Sequence, residues 1–189
     1  MIFITMFSII RLILIAESFV LYGIFIHAFP IVLTNAVLLI INIYFLVKIY
    51  RRQEKFDLVE FSKDATLIPK FLSFYQKDIK AYFPDFVMED RAEEIKFVVL
   101  RDIVIANLFI AAVDDKGNAF VKINYTVPKY RDFKVGQFIF DEGKVFLHAK
   151  GIERIIYKEV LNRDHEKFIK TIGFKKELQD SRNWYVKVI

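Results

Sequence analysis

Charged residues are almost absent from the first quarter of this chain, and this division constrains the fold more than any other feature. In the first 50 residues only Arg11, Glu17 and Lys48 carry a charge. The rest of the chain holds the remaining 26 basic and 22 acidic side chains. Such a pattern predicts a membrane-like segment, residues 1–52, followed by a soluble domain, residues 53–189.

The apolar segment contains two stretches long enough to be membrane helices, which need about 20 apolar residues each. We expect a helical hairpin over residues 8–26 and 30–49, with Pro30 in the first turn of the second helix and the first seven residues at the interface. Arg11 and the run "KIYRRQEK" flank its two ends, so both ends should face the cytoplasm and the protein should lie in the inner (cytoplasmic) membrane. A signal peptide is the alternative, but it calls for early basic residues, and "MIFITMF" contains none.

Several polar residues fall inside the predicted membrane helices, and three of them bear on how the helices pack. Glu17 would cost a few kcal/mol facing lipid, so we expect it to face protein. Asn35 and Asn42 are seven positions apart on one helix face, where they would form hydrogen bonds between helices. A polar pathway is the alternative, and it would require self-association into a homo-oligomer, because two helices cannot enclose one.

Composition narrows the chemistry of the soluble domain. The chain has no cysteine, which excludes disulfides and thiolate chemistry, and its three histidines show no metal-binding spacing. We therefore expect no metal site. A net charge of +5 over 189 residues does not call for nucleic acid as a partner. The basic and aromatic run at 129–134 is an alternative nucleic-acid surface, but Asp132 and the acidic remainder offset its charge.

Patterning in the soluble domain predicts alternating helices and strands. A helical stripe over 67–83 is followed by two β-branched strands separated by "RD", a turn at "DDKGN", and a third strand, "AFVKINYTV". In that third strand Val121, Ile123, Tyr125 and Val127 should share one face. The remaining predicted elements are a helix in "KVGQFIFDEG", a strand in "KVFLHAK", a helix capped by Gly173 and a last strand in "NWYVKVI". The class is α+β, a mixed sheet flanked by helices.

Two segments of this domain carry a family resemblance. The first, "INYTVPKYRDFKVGQFIF", leads from a strand through a basic loop into a helix, and the second is "NRDHEKFIKTIGF". Over about residues 60–189 the sequence resembles the GNAT superfamily of N-acyltransferases, whose loop pattern is Q/R-x-x-G-x-G/A. Arg131 matches the first position and Gly136 the last, whereas Lys134 stands where the family has its first glycine. The family pattern for the second segment is N-x-x-A-x-x-x-Y-x-x-x-G-F, and Asn162 and Gly173-Phe174 match its first and last positions.

The resemblance implies a GNAT-like fold that binds acetyl-CoA or another acyl-CoA. Backbone N–H groups at the start of the helix would hold the pyrophosphate, and the strand before it would hold the pantetheine arm. The residues implied in acyl-CoA binding are Tyr125, Val127, Arg131, Asp132, Phe133, Lys134, Val135, Gly136, Gln137 and Asn162. An alternative role for Asn162 is that of a simple helix N-cap.

Two departures from the family pattern leave the catalytic residues unassigned. Ile169 replaces a tyrosine that protonates the leaving thiolate in many members, and His165 replaces an alanine, where packing or helix capping is its expected role. Tyr125, Tyr157 and Tyr185 are candidates to substitute for it, and the alternative is an enzyme that relies mainly on positioning its substrates. Two functions therefore remain open, a membrane-anchored N-acyltransferase acting on an amine, and an inactive CoA-binding, sensory or scaffold module on the same anchor.

Overall fold

The computed structural model describes residues 2–51, 54–62, 65–89, 93–179 and 182–189. The chain forms two compact units, Met1–Glu54 and Lys55–Ile189. The predicted boundary between residues 52 and 53 lies outside the described residues.

The first unit is a helical hairpin. Helix α1 spans Ile2–Phe25 and α2 spans Phe29–Tyr50. Residues 2–7, which we expected at the membrane interface, are therefore part of this helix. Ala28 N donates to Gly23 O at 2.8 Å in the turn between the helices. Both helices are long and apolar enough to cross a membrane, on the grounds of length and composition.

The contact between the two helices follows a stripe of positions three or four residues apart. On α1 the covered positions include Ala16 and Gly23, both buried. Glu17 lies one position away from this stripe and its side chain is exposed, so the second helix of the hairpin does not cover it. Asn35 is half-buried, and its amide donates to Ile31 O of its own helix at 2.9 Å rather than across the interface.

The second unit is a seven-stranded mixed sheet with helices on both faces, in the strand order β1-β2-β3-β4-β5-β7-β6. Its strands are β1 Phe56–Glu60, β2 Glu94–Arg101, β3 Val104–Val113, β4 Asn118–Thr126, β5 Arg154–Tyr157, β6 Lys175–Gln179 and β7 Arg182–Val188. Its helices are α3 Leu67–Phe74, α4 Gln76–Tyr82, α5 Lys134–Gln137, α6 Lys144–Ala149 and α7 Arg163–Thr171. A 3₁₀ turn, Pro128–Tyr130, precedes α5, and a wider π-type turn, Phe138–Glu142, follows it.

Most of the predicted elements of this unit are present. The two apolar strands turn at residues 102–103, one residue later than the predicted "RD". α7 is followed by Gly173 with a φ of +92°, which suits glycine. The segment "KVFLHAK" is the exception, because it forms α6 and not a strand. A short apolar run is compatible with the period of a helix and with that of a strand. Here Leu147 is buried while its neighbours on both sides are more exposed.

A β-bulge in β4 changes which of its side chains share a face. Ile123 pairs with Ile110 and Val121 pairs with Ala111, so Lys122 is an extra residue in the strand. Val121 consequently packs against the core beneath α5, α6 and α7, whereas Ile123 lies in the core beneath α3 and α4. The predicted common face of β4 is wrong because strict alternation stops at the bulge.

Two of the central strands are paired over only part of their length. β4 and β5 run parallel, and the ladder joins Asn118–Phe120 to Arg154–Ile156. Beyond these three pairs β4 continues to Thr126 while β5 ends at Tyr157. The strands therefore separate toward the end of β4, where the predicted loop begins.

Candidate functional site

A cleft of about 300 Å³ lies beside the end of β4, beyond the point where its pairing with β5 stops. Four parts of the fold form its walls: the end of α4, the end of β4, the loop leading into α5, and the first turns of α7. The lining residues are Tyr82, Phe83, Asn124, Tyr125, Thr126, Tyr130, Arg131, Phe133, Val135, Gly136, Asp164, His165, Lys167 and Phe168. We call this space the β4–β5 cleft.

Arg131 lies at the rim of the cleft and is held from several sides. Its guanidinium pairs with Asp78 of α4, donates to the Tyr82 hydroxyl at 3.1 Å, and donates through Nε to Thr126 O at 2.9 Å. It also lies over the Tyr82 ring, 4.6 Å from the ring centroid. The position predicted for anion binding is therefore occupied by an arginine whose orientation is fixed, and Asp78 is its counter-ion.

Tyr125 shares that carboxylate. Its hydroxyl donates to Asp78 Oδ2 at 2.5 Å, and the pKa of Tyr125 is raised, first by burial and then by the hydrogen bond and the negative charge of Asp78. The phenol is thus protonated and already engaged. It is a poor candidate for the missing catalytic acid.

Asp132 anchors the loop to the sheet. The Arg101 guanidinium, at the end of β2, donates to both carboxylate oxygens of Asp132 at 3.1 and 2.8 Å, and Arg101 is 4% exposed. The Lys134 amide also donates to this carboxylate, at 3.3 Å. Asp132 therefore positions the loop and faces Arg101.

The start of α5 packs closely against α7. Phe133 adopts a φ of +67°, which is unusual for an aromatic residue, and its ring stacks on Phe168 at a centroid distance of 6.0 Å. A Cβ at Gly136 would lie 2.7 Å from two ring carbons of Phe168. Glycine at 136 is thus needed for the approach of Phe168, a role that the sequence pattern alone did not indicate.

Asn162 is the N-cap of α7 and also ties that helix to α4. Its Oδ1 accepts hydrogen bonds from the amides of Asp164 and His165 at 2.9 and 3.2 Å, which confirms the capping role. Its Nδ2 donates to Ala81 O at 3.2 Å. Asn162 therefore holds two walls of the cleft together from outside.

A short polar network between strands lies behind the cleft wall that Asn124 and Thr126 form. Asn107 Nδ2 donates to Asn124 Oδ1 at 2.7 Å and to the Thr126 hydroxyl at 2.9 Å. Asn124 Nδ2 in turn donates to the Tyr157 hydroxyl at 2.6 Å, across the gap between β4 and β5. Burial raises the pKa of Tyr157, although the Asn124 hydrogen bond opposes this. Tyr157 thus keeps its phenolic proton at the point where the strands separate.

A second hollow of about 500 Å³ lies on the other side of this hydrogen bond. It shares Tyr82 and Phe83 with the cleft and reaches Tyr157, and its polar lining includes Lys122, Glu89 and Glu159. Nearby, Glu94 of β2 is deeply buried between Lys122 and Lys96. Burial alone would raise the pKa of Glu94, but the hydrogen bonds and charges of these two lysines lower it overall.

Five of the ten residues predicted to bind acyl-CoA line the cleft: Tyr125, Arg131, Phe133, Val135 and Gly136. The other five surround it in the loop or at the ends of the flanking helices, namely Val127, Asp132, Lys134, Gln137 and Asn162.

Tyr185, a candidate for the catalytic acid, does not line the cleft. Its hydroxyl donates to Glu166 at 2.5 Å, and its pKa is raised to about 12, first by burial and then by Glu166.

The sequence prediction missed several lining residues on α4, β4 and α7. Asp164, His165 and Phe168 are spaced so that they lie along one side of α7, and Asn124 and Thr126 alternate on β4 after the bulge. The helical and strand periods would have grouped each set. Neither period could place the two sets against each other, because that contact depends on how α7 packs on the sheet.

Comparison with solved structures identifies the fold of the second unit. It is similar to a spermidine N-acetyltransferase from Vibrio cholerae in complex with CoA and spermine, with a TM-score of 0.54, 12% identity, and coverage of 70% of this chain and 95% of the other. It is also similar to a Salmonella typhimurium acetyl transferase that modifies the N-terminal serine of ribosomal protein L7/L12, with a TM-score of 0.56, 10% identity, and coverage of 71% and 95%. A GNAT-family acetyltransferase from Staphylococcus aureus Mu50 matches with a TM-score of 0.51 at 14% identity, over 71% of this chain and 99% of the other.

These similarities show the fold, and the fold is that of the GNAT acetyltransferases. The predicted fold class is confirmed. No family model matches the sequence, and no curated protein matches it in sequence.

Proposed function

We propose that the chain is an acyl-CoA-dependent N-acyltransferase with acetyl-CoA as the first donor to test. The observation that carries this proposal is the β4–β5 cleft, which opens where two parallel strands separate and which ends at the first turn of a helix. A structural neighbour with this fold contains CoA. The acceptor class that fits the fold is an amine.

The distribution of charge along the cleft matches that of an acyl-CoA, which has charged phosphates at one end and an uncharged arm. Arg131 and Lys167 are exposed cations at the rim, where phosphate groups remain in contact with water. The interior is aromatic and uncharged, which suits an arm without charge. The Lys134 amide of α5 is already engaged by Asp132, whereas the amides of Val135 and Gly136, two residues that line the cleft, have no carbonyl partner within that short helix.

Tyr157 is the residue best placed to act on the reacting atoms. A bound acyl-CoA would supply a thioester carbonyl carbon for attack by an amine. Tyr157 accepts a hydrogen bond from Asn124 and therefore directs its own proton elsewhere, as a donor to a leaving thiolate must. Its raised pKa keeps that proton in place at neutral pH. The amine would enter through the second hollow, where three carboxylates, Asp85, Glu89 and Glu159, outnumber the two cations, Lys122 and Lys158.

We further propose that α1 and α2 anchor the enzyme in the cytoplasmic membrane, with the second unit in the cytoplasm. The length and apolar composition of both helices support this, as do the basic residues that follow α2. Glu17 is exposed near the middle of α1, and association with a second copy through the helices would remove it from lipid. The same association is the homo-oligomer expected from the sequence.

One observation favours a second candidate function, an acyl-CoA-binding module without catalysis. Ile169, at the family's tyrosine position, is fully buried in the core. An isoleucine has no proton to donate, so no acid acts from that position. Of the three candidate tyrosines, Tyr125 and Tyr185 already donate to carboxylates, which leaves Tyr157. Such a module would serve as a sensory or scaffold domain on the same anchor.

Release of free thiol from acetyl-CoA distinguishes the two candidates. The full-length protein is incubated with acetyl-CoA and a panel of primary amines, and thiol is followed with a thiol-reactive dye. An enzyme should release thiol only with an acceptor present. Tyr157→Phe should lower kcat about 100- to 10,000-fold without weakening donor binding. Binding of acetyl-CoA without any acceptor-dependent release would favour the binding module.

A further inference from the structure

His165 is a polar residue enclosed by aromatic rings in the wall of the cleft. It lies in the first turn of α7 and is 5% exposed. The rings of Phe83 and Tyr157 lie 4.9 and 5.3 Å from its imidazole, centroid to centroid, in edge-to-face arrangements. Tyr82 and Phe168 follow at 6.4 Å each. All five side chains border the two hollows that meet at Tyr82 and Phe83.

Neither ring nitrogen of His165 has a hydrogen-bond partner within the part of the chain that the structure describes, although both are buried. Burial lowers the pKa of His165 to about 4, so the imidazole is neutral at the pH of a cell. A neutral imidazole offers one N–H donor and one acceptor lone pair. Buried polar groups are normally satisfied, and one left unsatisfied destabilises a protein unless a ligand completes it.

The distribution of charge along the cleft indicates which part of a ligand reaches His165. The cationic side chains Arg131 and Lys167 lie at the exposed rim, and the surroundings of His165 are aromatic and uncharged. A phosphate beside a neutral, buried imidazole would lose its hydration without gaining a counter-charge. An uncharged amide or thioester carbonyl can enter this environment and form a hydrogen bond there.

We infer that His165 forms a hydrogen bond with an uncharged carbonyl or amide group on the acyl-bearing arm of the donor. This rests on the proposed function, because it assigns a contact within the same cleft. His165 would then position the arm next to the Asn124–Tyr157 hydrogen bond. A histidine that serves only in packing would make no such contact, and the two roles differ in their effect on binding.

Calorimetric titration of the full-length protein tests the contact with two ligands, acetyl-CoA and adenosine 3′,5′-bisphosphate, the nucleotide end of the donor. In His165→Phe the affinity for acetyl-CoA should fall about three- to tenfold, the loss expected for one hydrogen bond. The affinity for the bisphosphate should stay within about twofold of wild type. The melting temperature without ligand should not fall, because an unsatisfied buried group has been removed.

Two rescue variants identify the nitrogen involved. His165→Asn places an amide near the Nδ1 position and His165→Gln places one near Nε2, and one of them should recover part of the acetyl-CoA affinity. Should His165→Phe fail to fold, His165→Met replaces it, because an unbranched apolar side chain adapts to the same space. The affinities of His165→Met for acetyl-CoA and for the bisphosphate are then compared with those of the wild-type protein.

Each outcome bears on a separate claim. Wild-type affinity for acetyl-CoA in the folded apolar variant would overturn the inference and leave the proposed function standing. Equal losses for acetyl-CoA and the bisphosphate would also overturn it, since the effect would then be on the cleft as a whole. Failure of the wild-type protein to bind either ligand would instead contradict the proposed function.

Discussion

A single hydrogen atom in place of a methyl group at position 136 allows Phe168 to pack against the start of α5. The ring lies 2.7 Å from where a Cβ would stand, and it stacks on Phe133 in the preceding loop. The glycine therefore sets the distance between α5 and α7. Because both helices line the cleft, this distance also sets the width of the cleft.

Replacing Gly136 with alanine should destabilise the second unit by about 1–3 kcal/mol, the usual cost of overpacking a tight contact. Unfolding in urea can be followed through Trp184, the one tryptophan of the chain. The matched control is Gly136→Ala combined with Phe168→Leu, which shortens the obstructing side chain and should recover much of the loss. Wild-type stability in Gly136→Ala alone would contradict the packing role.

Stability should also depend on pH through His165. Its pKa is about 4 in the folded protein and 6.5 when unperturbed, so between these values the unfolded chain binds a proton that the folded chain does not. The free energy of unfolding should therefore decrease as the pH falls from about 6.5 to 4, by up to about 3 kcal/mol from this group.

Urea unfolding at about pH 7 and about pH 4.5 measures this dependence. His165→Phe should reduce the difference between the two conditions, since phenylalanine does not titrate. An unchanged pH dependence in the variant would show that other groups carry it.

At the scale of elements, α4 is the wall of the cleft that is attached at both ends. Asp78 near its start pairs with Arg131 of the loop, and Ala81 near its end accepts a hydrogen bond from Asn162 of α7. A phosphate that binds Arg131 must compete with Asp78. The loop–α4 contact therefore opposes binding of an anionic ligand.

Replacing Asp78 with asparagine should strengthen acetyl-CoA binding by about threefold, because the neutral amide no longer holds the Arg131 guanidinium. The Tyr125 hydroxyl would still find an acceptor, which limits the loss of stability. Arg131→Gln is the opposing variant and should weaken binding about tenfold. If calorimetry finds equal affinities for both variants, Arg131 does not contact the ligand.

Sequence patterns predicted the elements of this unit to different extents. Strands β2 to β4 were evident because each is long, rich in β-branched residues, and separated from the next by a clear turn signal. β5 has four residues, too few to show a period, and α6 is an apolar run equally compatible with a strand. The bulge at Lys122 was not visible, since one inserted residue leaves the composition of β4 unchanged.

The residues around the cleft were likewise predictable only where the sequence carries a local signal. The loop from 131 to 136 could be found because its residues are adjacent in sequence and match a known spacing. The partners of that loop, Phe168 and His165 among them, could not, since α7 meets the loop only through tertiary packing. Asp132 and Gly136 lie in the predicted loop, but their contacts, to Arg101 and Phe168, depend on residues that lie about 30 positions away in the chain.

At the scale of the whole molecule, an apolar helical hairpin and a GNAT-fold unit are joined in one chain. We propose that the first holds the second at the cytoplasmic membrane. After expression in a bacterium, the full-length protein should remain with the membrane pellet through an alkaline carbonate wash and be released by detergent. Release by carbonate alone would contradict membrane insertion.

The central claim is that the β4–β5 cleft binds an acyl-CoA. Calorimetric titration of the purified full-length protein with acetyl-CoA tests it most directly, with Gly136→Val as the control that obstructs the cleft. We predict saturable binding with a Kd of about 1 μM to 1 mM, and at least tenfold weaker binding in the folded control. Absence of binding to the wild-type protein at about 1 mM ligand, or equal binding to the control, would contradict the account.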